Sequence, residues 1–266
     1  MNQTPSTVNW DGMAAAWTLA LIRLSTMLAL SPFFSSRSIA PRTKALLSLA
    51  LCWLLVPTVA SAAGSGDAMV QLSFQAVLGE VAIGSMYGLT LGLFNEMLLL
   101  AGQIMGLQFS FSLVNLLDPA SEIQTPLMGD LFQMFGTLVL IAAGLDRVLL
   151  SSVARSFRAV PPGSFRLETM STVAGTLVPM LSGSFLAAVE LAAPVLAATL
   201  LVEVSVALLG KLSPQLPVIS LTVPLKTLTG FVVLIGSLAV WPRFLEARFS
   251  VLLDVAQRLI SQGQRG

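Results

Sequence analysis

Histidine does not occur among the 266 residues, cysteine and tyrosine occur once each, and charged side chains make up only 10%. Without histidine the chain lacks the commonest metal ligand and the commonest general base, and no Ser-His-Asp arrangement can be assembled. The lone Cys52 excludes an internal disulfide and a thiolate metal site; set in an apolar run, it reads as a small side chain facing lipid or the core. A soluble domain carries about 25% charged residues, so this deficit places the chain in a membrane or a very apolar assembly. A net charge of +1 offers no basic surface for nucleic acid. The opening MNQTPSTVNWDG has no positively charged leader region and does not resemble a cleaved secretory signal, so the first apolar segment is expected to be retained. There is no glycine-rich nucleotide loop and no pair of carboxylates on one short helix, so nothing points to an enzyme, a cofactor or a metal. No stretch alternates polar and apolar residues over a useful length, and the expected fold class is all-α.

What the chain has in quantity is apolar sequence. Residues 13–33 are long enough to span a bilayer and carry Arg23, a charge that needs a partner or an aqueous surface at that depth. The next loop, 35–44, holds Arg37, Arg42 and Lys44 with no acid, which places it on the cytoplasmic side and the N-terminus outside. A second span is expected over 45–63, then a turn on the outer side at Gly64-Ser65-Gly66-Asp67. Residues 72–107 are too long for one straight crossing. Asp118-Pro119 and Thr125-Pro126 punctuate the least helix-like part, 108–130, because a residue before proline avoids the helical region. After a further apolar run at 131–143, residues Asp146, Arg147, Arg155, Arg158, Pro161-Pro162-Gly163 and Arg166 read as the most polar loop. If 108–143 folds back as a re-entrant hairpin, that loop is cytoplasmic and eleven of the fourteen Lys and Arg fall on one side. Non-helical backbone at membrane depth survives only where protein or water satisfies it, so this topology implies a cavity near 108–119.

The second half reads as an apolar region over 173–209, either one long kinked helix or a hairpin broken at Ala193-Pro194. A proline-rich segment, 211–226, leads to a last apolar run at 227–241. Beyond it Leu245, Phe249, Leu252, Leu253, Ala256, Leu259 and Ile260 share one helical face, opposite Arg243, Asp254, Gln257, Arg258 and Ser261. This predicts an amphipathic helix on the membrane surface or docked on a partner.

The stretch 79–119 concentrates the unusual features. Gly84, Gly88, Gly92 and then Gly102 and Gly106 recur at four-residue spacing, which suits close helix packing or contact with a neighbouring subunit. Phe109, Ser110, Phe111 and Ser112 alternate aromatic and small polar groups; they form either a loop burying two aromatics or a pore seal. Asn115 and Asp118 can bond local backbone and so close the segment. Arg23, Glu80, Glu96, Glu190, Glu203 and Lys226 lie in or beside apolar segments, where ionisable groups are paired or functional. Intersubunit salt bridges and polar pore lining are one reading, in which Glu80 and Glu190 meet basic groups on neighbouring subunits or Arg23; a proton relay is another.

The run AGQIMGLQFSFSLVNLLDPAS (101–121) resembles the flagellar biosynthetic protein FliR family, the R component of the type III export gate. Gly79-Glu80, the pattern Arg23, Pro32, Pro41, Arg42 and Lys44, the trio Glu190, Ala193 and Pro194, and Ser213-Pro214-Gln215 followed by Pro224, Lys226 and Gly230 are similar to that family in order and spacing. Ser110 stands where the family often has glycine, Leu216-Pro217 where it often has asparagine, and Leu145 where a histidine is common. The resemblance implies a single export-gate membrane domain of helical hairpins. It would comprise a P-like part at 12–143, a Q-like hairpin part at 172–242 and the amphipathic helix at 243–262. It implies a plug loop near 106–119 in which Gly106, Gln108, Phe109, Ser110, Phe111, Ser112, Asn115, Asp118 and Pro119 close the pore. It further implies one copy of the chain in a helical assembly with FliP and FliQ homologues, near FlhB and FlhA homologues. That assembly would sit in the inner membrane at the flagellar basal body, largely toward the periplasm, and pass unfolded substrates. An injectisome gate is the nearest alternative. A small proton- or solute-coupled transporter is a more distant one, which expects a two-fold internal repeat that the halves 13–143 and 173–260 do not show.

Overall fold

The computed structural model describes residues 10–31, 40–63, 72–109, 127–164, 170–213, 215 and 218–262. Among them every regular element is helical: α1 (Trp10–Leu30), α2 (Pro41–Ala63), α3 (Phe74–Gln108), α4 (Leu127–Ala142), α5 (Leu145–Ala159), α6 (Met170–Leu212), α7 (Val218–Ser237) and α8 (Trp241–Gln262). Gly12–Leu30, Phe74–Gln108, Leu177–Leu212 and Ser220–Ser237 are each long and apolar enough to cross a membrane. The expected all-α class holds.

The chain forms two compact units. The first takes Met1–Gly92, Asp146–Pro179 and Val251–Gly266. Its core is built on the helical period: Ala16, Leu19, Ala20, Arg23, Leu24 and Met27 are buried along α1 at spacings of three and four. Trp17 meets Trp53 of α2 edge-on at 5.8 Å, and buried Cys52 lies with its Sγ 3.9 Å from the Trp17 carbonyl, facing the core. The Ser73 hydroxyl accepts from the Ala76 amide at 3.1 Å and caps the start of α3. On α3, Gly84 lies against the Arg23 carbonyl, and a Cβ on Gly88 would stand 2.7 Å from the Leu30 Cβ. The register advances in the same sense on both helices, so α1 and α3 run in one direction with their backbones in contact.

The second unit takes Leu93–Leu145 and Met180–Ser250. Here α4 runs antiparallel to the last turns of α3. A Cβ on Gly102 would lie 2.6 Å from the Met128 carbonyl, whereas the Leu98 side chain reaches Gly136. The Gln133 amide donates to Asn95 at 2.6 Å, a polar clasp between two apolar helices. Phe94 meets Phe249 edge-on at 5.3 Å, and Trp241 packs on Phe132 and Phe135.

Several expectations need correction. The arginine-bearing segment after residue 143 is not a loop. It is the amphipathic helix α5, with Leu149, Val153 and Phe157 buried four residues apart and Arg147, Arg155 and Arg158 exposed. The chain turns into it at Gly144 (φ 69°). Of the two readings of 173–209, the single long helix holds and the hairpin broken at Ala193-Pro194 does not: α6 runs unbroken from Met170 to Leu212. The last apolar run begins at Val218, with Pro224 inside the helix, so α7 is long enough to span. The apolar face of α8 is covered within the chain, with Leu245 and Phe249 buried in the second unit and Leu252, Leu253 and Ala256 buried in the first. The side chains of Leu259 and Ile260 are outside the described residues.

Candidate functional site

In the first unit, Arg23 and Glu80 meet with neither exposed to solvent. The guanidinium is held bidentately: Nε donates to Oε2 at 2.6 Å and Nη2 to Oε1 at 3.1 Å. Nη1 donates to the Ser156 hydroxyl and Nη2 to the Val160 carbonyl, each at 3.1 Å, and the charged plane lies 4.3 Å from the Phe157 ring centre. The Gly163 amide donates to Oε1 of Glu80 at 3.1 Å. The Gly163 φ of 82° is a left-handed conformation that glycine adopts without strain, and it turns that amide back toward the carboxylate. A buried ion pair is tolerable when further hydrogen bonds satisfy its remaining donors and lone pairs, and this one ties α1, α3 and α5 together through charge. Tyr87 reinforces it by donating to the Ser152 carbonyl at 3.2 Å, and Gln257 of α8 bonds the Ser152 hydroxyl.

In the second unit, Phe109, the first residue past α3, is 2% exposed. Its ring stacks on Phe231 at 4.6 Å with an interplanar angle of 7°. Its carbonyl accepts from the Thr227 hydroxyl at 3.2 Å, and its ring occupies the place that a Cβ on Gly230 would take. Thr227, Gly230 and Phe231 occupy one turn of α7, so this turn is a socket for the aromatic ring. Lys226, next to the socket, is paired with Glu203 of α6, and Glu190 of α6 is paired with Arg248 of α8.

The expected site residues therefore divide. Arg23 with Glu80, and Lys226 with Glu203, are brought together. Glu190 meets Arg248 of its own chain, a partner the sequence did not single out. Glu96 is exposed on α3 and has no ion pair among the described residues. Gly84, Gly88 and Gly102 lie at close backbone approaches; Gly106 sits beside Met128, and Gly92 is half-buried. Gly106 and Gln108 belong to the last turns of α3, so the non-helical segment begins at Phe109. Ser110, Phe111, Ser112, Asn115, Asp118 and Pro119 lie outside the described residues. Sequence reasoning missed Ser156, Phe157, Val160 and Gly163 around Arg23, and Thr227 and Phe231 around Phe109. The signals available for the first group were the four-residue spacing that Phe157 shares with Leu149 and Val153, and Pro161-Pro162-Gly163, which marks a turn without saying where its amide points.

Long apolar helices, with Arg23–Glu80, Lys226–Glu203 and Arg248–Glu190 paired inside the fold, define a helical membrane protein. A family model described as "Bacterial export proteins, family 1" matches residues 14–252. The flagellar biosynthetic protein FliR of Caulobacter vibrioides is 26% identical over 237 residues, covering 89% of this chain and 94% of that protein. Proteins of the same name from Escherichia coli and Bacillus subtilis are each 25% identical, over 248 and 254 residues, covering 91% and 92% of this chain and 91% and 95% of those proteins. The chain belongs to the bacterial export proteins, family 1, the family of FliR, and is a membrane component of a flagellar export apparatus.

Proposed function

We propose that this chain is a non-enzymatic, pore-forming subunit of a flagellar type III export gate and that the segment beginning at Phe109 closes the pore. The observation that carries the reading is the anchoring of Phe109: a buried ring clamped on Phe231, over a residue with no side chain, at the root of the segment. A plug must be tethered at its base, or it would neither return to the closed position nor exclude water from it. Aromatic and small polar residues at 109–112 suit a constriction that dewets when closed. The partners that fit are FliP and FliQ homologues in a helical assembly holding one copy of this chain, together with FlhA and FlhB homologues of the export apparatus. A P-like part at 12–143 and a Q-like part at 172–242 would make this chain one step of that spiral, in the inner membrane and toward its periplasmic face.

The test is Gly230→Val in a strain with the whole apparatus. A Cβ at Gly230 would stand 2.8 Å from Cδ1 of Phe109, so the ring must leave its socket. The expected result is an assembled complex that leaks small ions across the inner membrane, matching the leak from deletion of residues 109–112. Assembled complexes of both variants with wild-type permeability would refute the plug.

A further inference from the structure

Among the described residues, the four segments long and apolar enough to span carry four acids, and three of them have an intrachain cation. Glu80 has Arg23, Glu190 has Arg248 and Glu203 has Lys226. Glu96 is exposed on α3, and no Lys or Arg among the described residues pairs with it. It stands about 7.5 Å past the midpoint of the helix, at 1.5 Å per residue, far from either end of a membrane-spanning segment. An unpaired carboxylate at such a depth is unfavourable in lipid and marks a partner or a function.

The surroundings of Glu96 narrow the partner. It lines a groove of about 470 Å³ between α3 and α6 in the second unit. The walls are apolar: Leu93 and Leu100 on α3, and on α6 Leu181 and Phe185, which are 55% and 60% exposed. Gln103 of α3 lines the same groove. The groove thus offers mostly apolar walls and one carboxylate without a cation.

We propose that this groove seats an apolar helix of another membrane subunit and that the helix carries one lysine or arginine, which pairs with Glu96. An anionic lipid is disfavoured by the charge of Glu96, and a wholly apolar helix would leave the carboxylate without a cation. The inference rests on the reading of this chain as one subunit of a membrane assembly. It does not depend on the plug.

The test is disulfide trapping in cells that express the complete apparatus. Glu96→Cys is combined, one position at a time, with a cysteine in place of each Lys or Arg in the apolar helices of the other membrane subunits, followed by oxidation in isolated membranes. One basic position should give an adduct at least tenfold above the rest. Exchanging the charges of that pair should restore an assembly that Glu96→Lys alone reduces at least tenfold. Absence of an adduct with any basic position overturns the proposal. So does rescue of Glu96→Lys by an acidic residue at Arg37, Arg166 or Arg265 of this chain, which would make the pair internal. A phospholipid retained at the groove in place of a protein helix also overturns it. No arm reads ion permeability, so failure of the plug reading would leave these outcomes unchanged.

Discussion

Replacing Glu80 with alanine removes the only anion that faces Arg23 among the described residues. The guanidinium then stays fully buried with two N–H groups released, and the Gly163 amide loses its acceptor. Breaking a buried pair by deleting one partner costs about 3–5 kcal/mol, because the surviving charge is left uncompensated. At 1.4 kcal/mol per factor of ten, the ratio of folded to unfolded chain falls by about two to three and a half orders of magnitude. Losing both charges is a different matter. Arg23→Met with Glu80→Leu puts apolar groups of similar length where the pair stood, and such swaps are often neutral or stabilising. It still strands the buried Val160 carbonyl, which adds about 1–3 kcal/mol, whereas the amide of exposed Gly163 can turn to water. The expected order of stability is therefore wild type, then the double variant, then either single variant. The measurement is a double-mutant cycle on the purified complex in one detergent, following denaturant-induced loss of tertiary signal, together with the steady-state amount of each variant in membranes. Single variants as stable as wild type would refute the claim that the pair is dry. A double variant worse than both singles would refute the claim that charge, and not the surrounding hydrogen bonds, is what the singles lose.

Two further outcomes follow from packing. Gly88→Val places a Cβ 2.7 Å from that of Leu30 and adds two methyls beyond it, so α1 and α3 must separate. Overpacking costs about 1–3 kcal/mol, and chain abundance in membranes should fall where the same change at Gly236, which meets nothing nearby, leaves it unchanged. Phe249→Ala empties a fully buried site against Phe94 and should cost about 3–5 kcal/mol, whereas Val251→Ala, at an exposed position, should stay within about 0.5 kcal/mol by the same unfolding assay.

Much of the architecture was readable because long apolar runs have few alternatives to the helix. The first three helices lie within a few residues of the apolar segments at 13–33, 45–63 and 72–107. Arg23 and Glu80 were recognisable as ionisable groups needing partners, since a charge in such a segment is costly wherever it points. Their mutual pairing was not fixed by sequence: which helices touch depends on backbone approach at Gly84 and Gly88, and glycine spacing alone also fits contact with another subunit. The α5 helix was misread because its arginines and the following prolines resemble a loop. Its stripe of Leu149, Val153 and Phe157 carried the contrary signal, at a period the charge count obscured. The Phe109 socket was legible only on one side. The aromatic was conspicuous, but Gly230 and Phe231 sit in a helix whose other residues are equally apolar, so nothing in the order of letters joins them.

The pairing of Arg23 also orders the biogenesis of the chain. Its carboxylate partner lies 57 residues downstream, and its last acceptor, the Val160 carbonyl, 137 residues downstream. At about 5–20 residues per second, ribosomes need roughly 7 to 27 seconds to supply that last contact after Arg23 is made. Throughout that interval the first helix carries a cation whose shell is incomplete. α1 reaches its final environment only when α3 and the turn at 161–163 have been synthesised. Early termination of translation before residue 160 would leave an N-terminal fragment with an unmet charge in its first helix, a feature that membrane quality control can read.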